Sequence, residues 1–274
     1  MLPILHIGPL AIQFPGLVIL VGLWLGLSLA ERYVDSHTKR YKKTKATPGA
    51  SELQPIPAPI LYNLAVGSLL AAIIGARLFY ILQYTQVFIQ NPASIISLNA
   101  SLLDVRGAFI GALVFAFYYG QRKNLHFWQS LDALTPAFAV LAIAYHLSNL
   151  ASGANFGSPT QLPWGIELWG ALRHPVQLYE AIFAALILFL LWPSQPKFSI
   201  KQAGEYFIYF VTLSSASRLF FEAFHGDSQL VLGGFRLVQI YAWMILGVCL
   251  YGLHRLAHSP ERSEAQTELP TEKG

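Results

Sequence analysis

The chain has 274 residues, of which 54% are hydrophobic and only 12% are charged. Soluble domains carry roughly 25% charged residues, so this composition is typical of an integral membrane protein. The formal net charge of +4 comes largely from lysines beside apolar segments. Because these lysines do not line one basic face, the charge excludes a nucleic-acid-binding role.

The first predicted element is an apolar segment from Ala11 to Ala30, which contains no charged side chain. About twenty apolar residues are enough for a helix to cross a bilayer. A cluster of lysines and arginines follows directly, at positions 32–45. Basic residues resist transfer across the membrane and stay on the cytoplasmic side, so the pattern predicts an N-terminus outside the cell.

Further apolar runs follow at Pro59–Tyr84, Gly107–Gly120, Leu131–Ala151, Pro175–Trp192, Gly204–Phe224 and Leu237–Leu256. Together they predict an all-α integral membrane protein with seven transmembrane helices, its N-terminus outside and its C-terminus cytoplasmic. The predicted transmembrane domain covers 1–256, with a basic cytoplasmic loop at 31–58 and an extracytoplasmic loop at 152–174. The tail at 257–274 lacks apolar periodicity and is predicted to be a disordered cytoplasmic segment.

The distribution of basic residues supports this alternation independently. The predicted cytoplasmic segments hold thirteen of the 18 lysines and arginines. An even number of helices, or a reversed orientation, would scramble this partition. The basic residues left over are all arginines, namely Arg77, Arg106, Arg173, Arg218 and Arg236.

These remaining arginines are predicted to lie at one depth, in the outer leaflet. An arginine inside a bilayer is costly and rarely faces lipid. Snorkelling toward the head groups explains one or two of them. Because the guanidinium fork suits two-point contact with phosphate, a set without lysine favours recognition of phosphate oxygens.

Other polar side chains reach the same predicted layer. His146 and Asn149 lie one turn apart near the outer end of the fourth predicted helix, whereas His174, Gln177 and Glu180 repeat every three residues at the start of the fifth. For His146 alone, a hydrogen-bonded packing role is the more common explanation. The convergence of polar groups from several helices at one depth favours a binding or catalytic site.

Arg218 and Glu222 lie four residues apart in the sixth predicted helix, so their spacing predicts an ion pair on one helix face. Glu222 and Glu180 can each be explained by neutralisation of an arginine. No set of residues has a convincing metal-ligand spacing, so neither a metal nor another cofactor is predicted.

The segment Arg173-His174-Pro175-Val176-Gln177-Leu178-Tyr179-Glu180 resembles the R-H-P-x-Q-L-Y-E run of the prolipoprotein diacylglyceryl transferase family. The resemblance covers most of the chain. It includes Gly75-Ala76-Arg77 in the second helix, Arg218-Leu219-Phe220-Phe221-Glu222 in the sixth, and single matches at Asn149, Gly157 and Gln239.

That family transfers the diacylglyceryl group of phosphatidylglycerol to a cysteine thiol of a lipoprotein precursor, and glycerol 1-phosphate leaves. The resemblance implies a multi-pass protein of the bacterial plasma (inner) membrane. Its implied partners are phosphatidylglycerol, or a related anionic phospholipid, and the signal peptide of the precursor. The matched positions imply substrate-binding roles for Arg77, Asn149, Gly157, Arg173, His174, Gln177, Glu180, Glu222 and Gln239.

The chain departs from the family pattern at positions that bear on catalysis. The H-G-G motif of the family reads Arg106-Gly107-Ala108, and its G-R-L-G-N segment reads Tyr145-His146-Leu147-Ser148-Asn149. Histidine and arginine have therefore exchanged places. If the two positions face each other, His146 is the expected base, and Arg106 is an expected phosphate clamp together with Arg218.

The sequence leaves two functions open. The first is an active transferase, which the intact run from Arg173 to Glu180 favours. The second is a catalytically silent relative that binds or moves an anionic lipid head group, which the altered motifs favour. A receptor or transporter is a third alternative, but it would place polar groups near the bilayer midplane.

Overall fold

A computed structural model describes residues 4–7, 10–44, 56–92, 94, 103–192, 202–231 and 233–258 of the chain. Much of the predicted basic loop, at 45–55, lies outside the described residues. So does nearly all of the predicted disordered tail, at 259–274. The character of both segments stays a prediction.

Helices dominate the described part of the chain. They are α1 (Phe14–Thr44), α2 (Ala58–Gln83), α3 (Thr85–Gln90), α4 (Val105–Arg122), α5 (Phe127–Ser152), α6 (Val176–Leu191), α7 (Glu205–Phe221) and α8 (Leu237–Ala257).

Short antiparallel hairpins precede α1, connect α5 to α6 and lie between α7 and α8. They pair β1 (Ile4–Ile7) with β2 (Leu10–Gln13), β3 (Ile166–Leu168) with β4 (Ala171–Arg173), and β5 (Leu230–Val231) with β6 (Phe235–Arg236). At the turn between β3 and β4, Trp169 has φ 54° and Gly170 has φ 72°. Positive φ at both central residues is what a tight type I′ turn requires. The turn returns the chain to Arg173, which pairs with Ile166.

Each predicted apolar run coincides with one of the longer helices. Among the described residues, four helices are long and apolar enough to cross a membrane. These are the Phe14–Ser36 part of α1, and α2, α5 and α8, whereas α6 is a shorter apolar helix. The predicted all-α membrane class is therefore confirmed. The number of seven spans and their orientation stay predictions.

Helix α1 differs from its predicted segment at both ends. Its predicted start at Ala11 is corrected to Phe14, because the preceding residues form strand β2. Pro15 fits in the first helical turn, where its missing N–H would have no partner. The helix then continues past Ala30 to Thr44, so the first part of the predicted loop is helical.

The described residues form two compact units, which we treat separately. The first lies within Met1–Tyr33 and Leu134–Gly274, and the second within Val34–Ala133. The boundaries between the units fall inside α1 and α5.

In the second unit, α2 and α4 approach closely through small residues. A Cβ atom on Gly75 would lie 2.4 Å from the backbone oxygen of Gly107. One on Gly111 would lie 2.2 Å from the backbone oxygen of Ala71. Side chains at these positions would push the helices apart, so the contact requires glycine.

In the first unit, the amino-terminal part of α1 packs against α5. A Cβ atom on Gly22 would lie 2.2 Å from the Cβ atom of Ala144, and one on Gly26 would lie 3.0 Å from the backbone oxygen of Ala137. Helix α7 packs against both α6 and α8. This arrangement fixes the helices that carry the polar cluster described next.

Candidate functional site

The candidate site is built around Glu180, a buried carboxylate near the start of α6. Pro175 precedes the first helical residue, where proline is compatible with a helix start. Gln177 and Glu180 lie three residues apart on one helix face, and both side chains are buried. A buried carboxylate is costly unless hydrogen-bond donors or cations surround it.

Basic side chains from other elements hold both oxygen atoms of Glu180. Arg218 Nη1 lies 2.5 Å from Oε1, and His225 Nε2 lies 3.2 Å from the same oxygen. His146 Nδ1 lies 3.0 Å from Oε2. One carboxylate therefore connects α5, α6, α7 and the turn that follows α7.

Arg218 bridges two carboxylates. Its Nη2 lies 2.9 Å from Glu222 Oε2, so the ion pair predicted from their spacing is present. The side chains of Glu180 and Glu222 are 2% and 1% exposed, whereas that of Arg218 is 29% exposed. Arg218 is therefore the member of this group that a ligand can contact. Its guanidinium has five N–H donors, which is more than the contacts with the two carboxylates use.

His225 lies at the centre of the same cluster, although the sequence analysis did not single it out. It follows the 3₁₀ turn Glu222–Phe224 and is buried. Its Nε2 lies 2.9 Å from Arg218 Nη1, and its Nδ1 lies 3.5 Å from Asp227 Oδ1. The sequence offered one signal, a polar run after an apolar helix, but only the turn brings His225 back to Glu180.

Arg236, the last residue before α8, holds the turn that follows α7. Its Nη1 donates to the backbone oxygens of Glu222 and His225, the latter at 2.9 Å. It also donates to Ser228 Oγ at 3.0 Å. Ser228 Oγ donates in turn to Glu222 Oε1 at 2.6 Å. Arg236 therefore fixes the backbone on which Glu222 and His225 are carried.

Arg173 fastens the connection between α5 and α6. Its Nε donates to the backbone oxygen of Leu168 at 3.0 Å, and its Nη1 donates to that of Gly157 at 3.2 Å. The guanidinium also lies 4.7 Å from the ring centroid of Phe156. Gly157 forms an antiparallel bridge with His225. Arg173 thus holds the segment around Gly157, with which the His225 backbone is paired.

His174 and Gln177 make contacts with neighbouring structure rather than with the Glu180 carboxylate. The His174 ring packs edge-on against Phe224 at 5.4 Å and Tyr179 at 6.4 Å between centroids. Gln177 Nε2 donates to the backbone oxygen of Ala154 at 2.8 Å. Both residues therefore attach the connection between α5 and α6 to the cluster.

Asn149 lies one turn after His146 in α5. Its Nδ2 is buried and has no hydrogen-bond partner among the described residues. Gln239 is half-buried in the first turn of α8. In the part of the chain that the structure describes, no contact joins the Gln239 side chain to Glu180. The predicted substrate-binding roles of Asn149 and Gln239 stay predictions.

Arg77 and Arg106 belong to the second unit. Arg77 Nη2 donates to the backbone oxygen of Ser94 at 2.6 Å, and its guanidinium lies 5.5 Å from the ring centroid of Phe88. Arg106 is exposed in the first turn of α4, where Asp104 Oδ1 accepts a hydrogen bond from its backbone N–H at 2.8 Å. The predicted convergence of these two arginines with those of the first unit stays a prediction.

The charges around Glu180 are nearly balanced. Two arginines and three carboxylates leave a net charge of −1 when both histidines are neutral, and each protonated histidine adds one positive charge. We call this group the Glu180 cluster; it comprises His146, Glu180, Arg218, Glu222, His225, Asp227 and Arg236. Among the described residues, no three histidine, cysteine, aspartate or glutamate side chains are arranged to hold a metal ion.

The fold and the site define a class of protein: a multi-pass helical membrane protein whose helix ends hold a buried ionic cluster with an accessible guanidinium. A sequence model of the prolipoprotein diacylglyceryl transferase family matches residues 3–254. The chain therefore belongs to the prolipoprotein diacylglyceryl transferase family, and the resemblance drawn from its motifs is confirmed.

Individual relatives agree with this assignment. The phosphatidylglycerol–prolipoprotein diacylglyceryl transferase of Acaryochloris marina is 26% identical over 260 residues, which cover 91% of this chain and 88% of that protein. The enzyme of the same name from Solidesulfovibrio magneticus is 28% identical, with 95% of each chain covered. That of Finegoldia magna is 30% identical over 73% of this chain and 81% of its own length.

Proposed function

We propose that this chain transfers the diacylglyceryl group of phosphatidylglycerol to the cysteine thiol of a lipoprotein precursor. Its family membership and the names of its relatives support this reaction. The observation that carries the proposal is Arg218, whose side chain is 29% exposed while the glutamates beside it are buried. A fixed and accessible cation is what a phosphodiester needs when it becomes a leaving group.

The proposed location is the outer leaflet of the bacterial plasma (inner) membrane. In the first unit, the Glu180 cluster joins the end of α5, the start of α6, the end of α7 and the start of α8. Successive helices that alternate in direction bring such ends to one membrane face. With the partition of lysine and arginine, this favours seven spans, an external N-terminus, an external loop at 152–174 and a cytoplasmic loop and tail at 31–58 and 257–274.

His146 is the proposed general base. Its Nδ1 lies 3.0 Å from Glu180 Oε2, an ion-pair contact without hydrogen-bond geometry, and the charge of the carboxylate favours the tautomer with the proton on Nδ1. The lone pair on Nε2 is then able to accept the proton of the thiol. The side chain of His146 is 16% exposed, and Glu180 stabilises the imidazolium that forms.

The transfer step balances with these groups. The thiol S–H bond breaks, and its proton moves to His146 Nε2. The sulfur electron pair forms an S–C bond with the glycerol carbon that carries the phosphodiester oxygen. The C–O bond breaks, and its electron pair stays on glycerol 1-phosphate, whose added negative charge Arg218 stabilises. Release of the proton from His146 to water completes the cycle.

Arg106 is the proposed second cation for the phosphate, because arginine and histidine exchange places between the two family motifs. Arg77 is proposed to bind the same head group. The other matched residues are proposed to shape the sites for the lipid and the precursor. This role is supported by the hydrogen bonds of Arg173 and Gln177, which hold the connection between α5 and α6 against the cluster. The full set of these other matched residues is Asn149, Gly157, Arg173, His174, Gln177, Glu222 and Gln239.

Complementation tests the proposed function. The chain is expressed in cells depleted of their own transferase, and lipid modification of a precursor is followed by the mobility and mass of the product. The proposal expects modification by the wild type and its loss in Arg218→Lys, because lysine keeps the charge but lacks the planar fork whose two nitrogens contact the two carboxylates. The matched control is Arg122→Lys, since Arg122 is exposed and lies in a predicted cytoplasmic segment.

The alternative function gives a different outcome in the same cells. A catalytically silent relative would insert and bind phosphatidylglycerol but leave the precursor unmodified. Insertion is measured by membrane fractionation, and lipid binding is measured by native mass spectrometry of the purified protein. Binding without modification would replace the transferase proposal with the silent one.

A further inference from the structure

His225 is buried beside Arg218 and Glu180, and the transfer step above does not use it. Resting on the proposed function, we propose that His225 is a positioning residue that couples binding of the anionic lipid head group to a proton. When its imidazole is protonated, it takes over the Glu180 carboxylate and releases Arg218 N–H groups toward the lipid phosphate.

The proposal starts from a triangle of three atoms. Glu180 Oε1 lies 2.5 Å from Arg218 Nη1 and 3.2 Å from His225 Nε2, and the two nitrogens lie 2.9 Å apart. A guanidinium only donates hydrogen bonds. The contact between the nitrogens is therefore favourable when His225 Nε2 carries a lone pair, and unfavourable when it carries a hydrogen.

The neutral imidazole fits one arrangement of this triangle. Its Nε2 then accepts from Arg218, which leaves the hydrogen on Nδ1, a nitrogen that lies 3.5 Å from Asp227 Oδ1 without hydrogen-bond geometry. Arg218 Nη1 is then engaged by both Glu180 and His225. In this state the guanidinium is held inward, with fewer donors free for a ligand.

The protonated imidazole fits the other arrangement. Its Nε2–H donates to Glu180 Oε1, while Nδ1–H keeps its place beside Asp227. Arg218 Nη1 is repelled from the imidazolium but Nη2 stays on Glu222. Since the Arg218 side chain is the partly exposed member of this set, its displaced donors turn toward the side from which an anion arrives.

The charge of the cluster favours the same coupling. With neutral histidines its net charge is −1, which opposes binding of a phosphodiester monoanion. One added proton brings the cluster to zero. The charged and titratable groups around His225 are Glu180 of α6, Arg218 of α7, Glu222 of the 3₁₀ turn, Asp227 of its own loop, Arg236 before α8 and, through Glu180, His146 of α5.

The test measures KM and kcat for phosphatidylglycerol between pH 6 and 8, and separately the binding of phosphatidylglycerol in nanodiscs without precursor. A single linked proton changes affinity by at most about tenfold per pH unit. We expect KM and the dissociation constant of the wild type to rise about 3- to 10-fold from pH 6 to 8. Because His146 protonation also adds charge to the cluster, the variants of His225 described next identify which histidine sets the pH dependence of KM.

Two variants of His225 give opposite results. His225→Gln removes the proton and should hold KM at its high value across the pH range. His225→Arg supplies a permanent cation and should hold KM low at both ends. The control is His254→Gln. His254 lies about 26 Å along α8 from its first residue, at about 1.5 Å per residue, so this variant should keep the wild-type profile.

A wild-type pH profile of KM in His225→Gln, or a high KM in His225→Arg, would overturn the inference. If the glutamine variant does not fold, the arginine variant alone decides, since a pH-independent low KM supports the coupling and a wild-type profile contradicts it. Nanodisc binding separates this inference from the proposed function. pH-coupled binding by a protein without transferase activity would retain the coupling and reject the transferase.

Discussion

At the residue scale, Glu180 determines how the other charged groups are placed, since it pairs with a guanidinium and two imidazoles. We expect Glu180→Ala to lower the free energy of unfolding by about 3 kcal/mol, because Arg218 loses one of its two carboxylates and both imidazoles lose theirs. This is the low end of such losses, since Arg218 keeps Glu222 as a partner. Unfolding titrations in detergent measure it.

Glu167→Ala is the matched control for this change. Glu167 is exposed on β3 and belongs to the same unit of the chain. Its replacement should alter the unfolding free energy by less than about 0.5 kcal/mol. Equal losses for the two variants would show that Glu180 does not hold the cluster together.

The proposed exchange of histidine and arginine makes a second prediction at this scale. His146→Ala removes the proposed base and Arg106→Ala a proposed phosphate clamp, so each should lower kcat/KM by about 10²-fold or more. The measurement is transfer to a synthetic precursor peptide. Arg122→Ala, at the opposite end of α4 from Arg106, is the control. Retained activity in either site variant contradicts the exchange.

At the scale of elements, Gly157 sets how closely the connection between α5 and α6 approaches its neighbours. A Cβ atom there would lie 2.2 Å from the backbone oxygen of His174. Gly157→Ala should therefore shift the segment that pairs with His225 and lower both the melting temperature and the transfer rate. Gly247→Ala in α8, where a Cβ atom meets nothing within 4 Å, should change neither. The two melting curves decide the comparison.

Helices α2 and α4 offer a second test of close approach. In Gly111→Ala the new methyl group would meet the backbone oxygen of Ala71 at 2.2 Å, so the helices must separate. Overpacking of this kind costs about 1–3 kcal/mol. Gly120→Ala, in the same helix but with open space around it, should not be destabilising. A similar stability of both variants would contradict the tight packing.

The longer helices were predictable because each one corresponds to a continuous apolar run, which can be recognised from the local sequence alone. The pair of Arg218 and Glu222 was predictable for the same reason, since helical geometry brings residues four apart together. For Glu180 and His146, the sequence predicted only that both lie at the same depth in the membrane. Their contact was not predictable, because it depends on how separate helices pack. His225 was missed because a 3₁₀ turn has no apolar period to indicate which way it returns.

The hairpin of β3 and β4 was also absent from the sequence prediction. Its strands have three residues each, too few for an alternating pattern to stand out. Its turn holds Trp169 at positive φ, which residue preferences do not favour. Yet this hairpin carries Arg173. The sequence motif predicted that this arginine matters, but it did not predict the strand on which the arginine lies.

At the scale of the whole molecule, the proposed reaction depends on which face of the membrane the Glu180 cluster occupies. Phosphatidylglycerol and a translocated precursor meet at the outer face, so a cluster on the cytoplasmic side could not serve both. The asymmetry of lysine and arginine is the physical basis for the orientation, since these residues resist translocation. Orientation is therefore the property of the molecule that most sharply tests the function.

Single cysteines report that orientation directly. In a Cys249→Ser background, which removes the one native thiol, Gln161→Cys lies in the predicted extracytoplasmic loop and Lys123→Cys in a predicted cytoplasmic one; both native side chains are exposed. In right-side-out spheroplasts, a membrane-impermeant maleimide should label Gln161→Cys at once and Lys123→Cys only after detergent is added. The reverse pattern would place the cluster against the cytoplasm, where Arg218 could still bind an anionic head group but could not meet a translocated thiol.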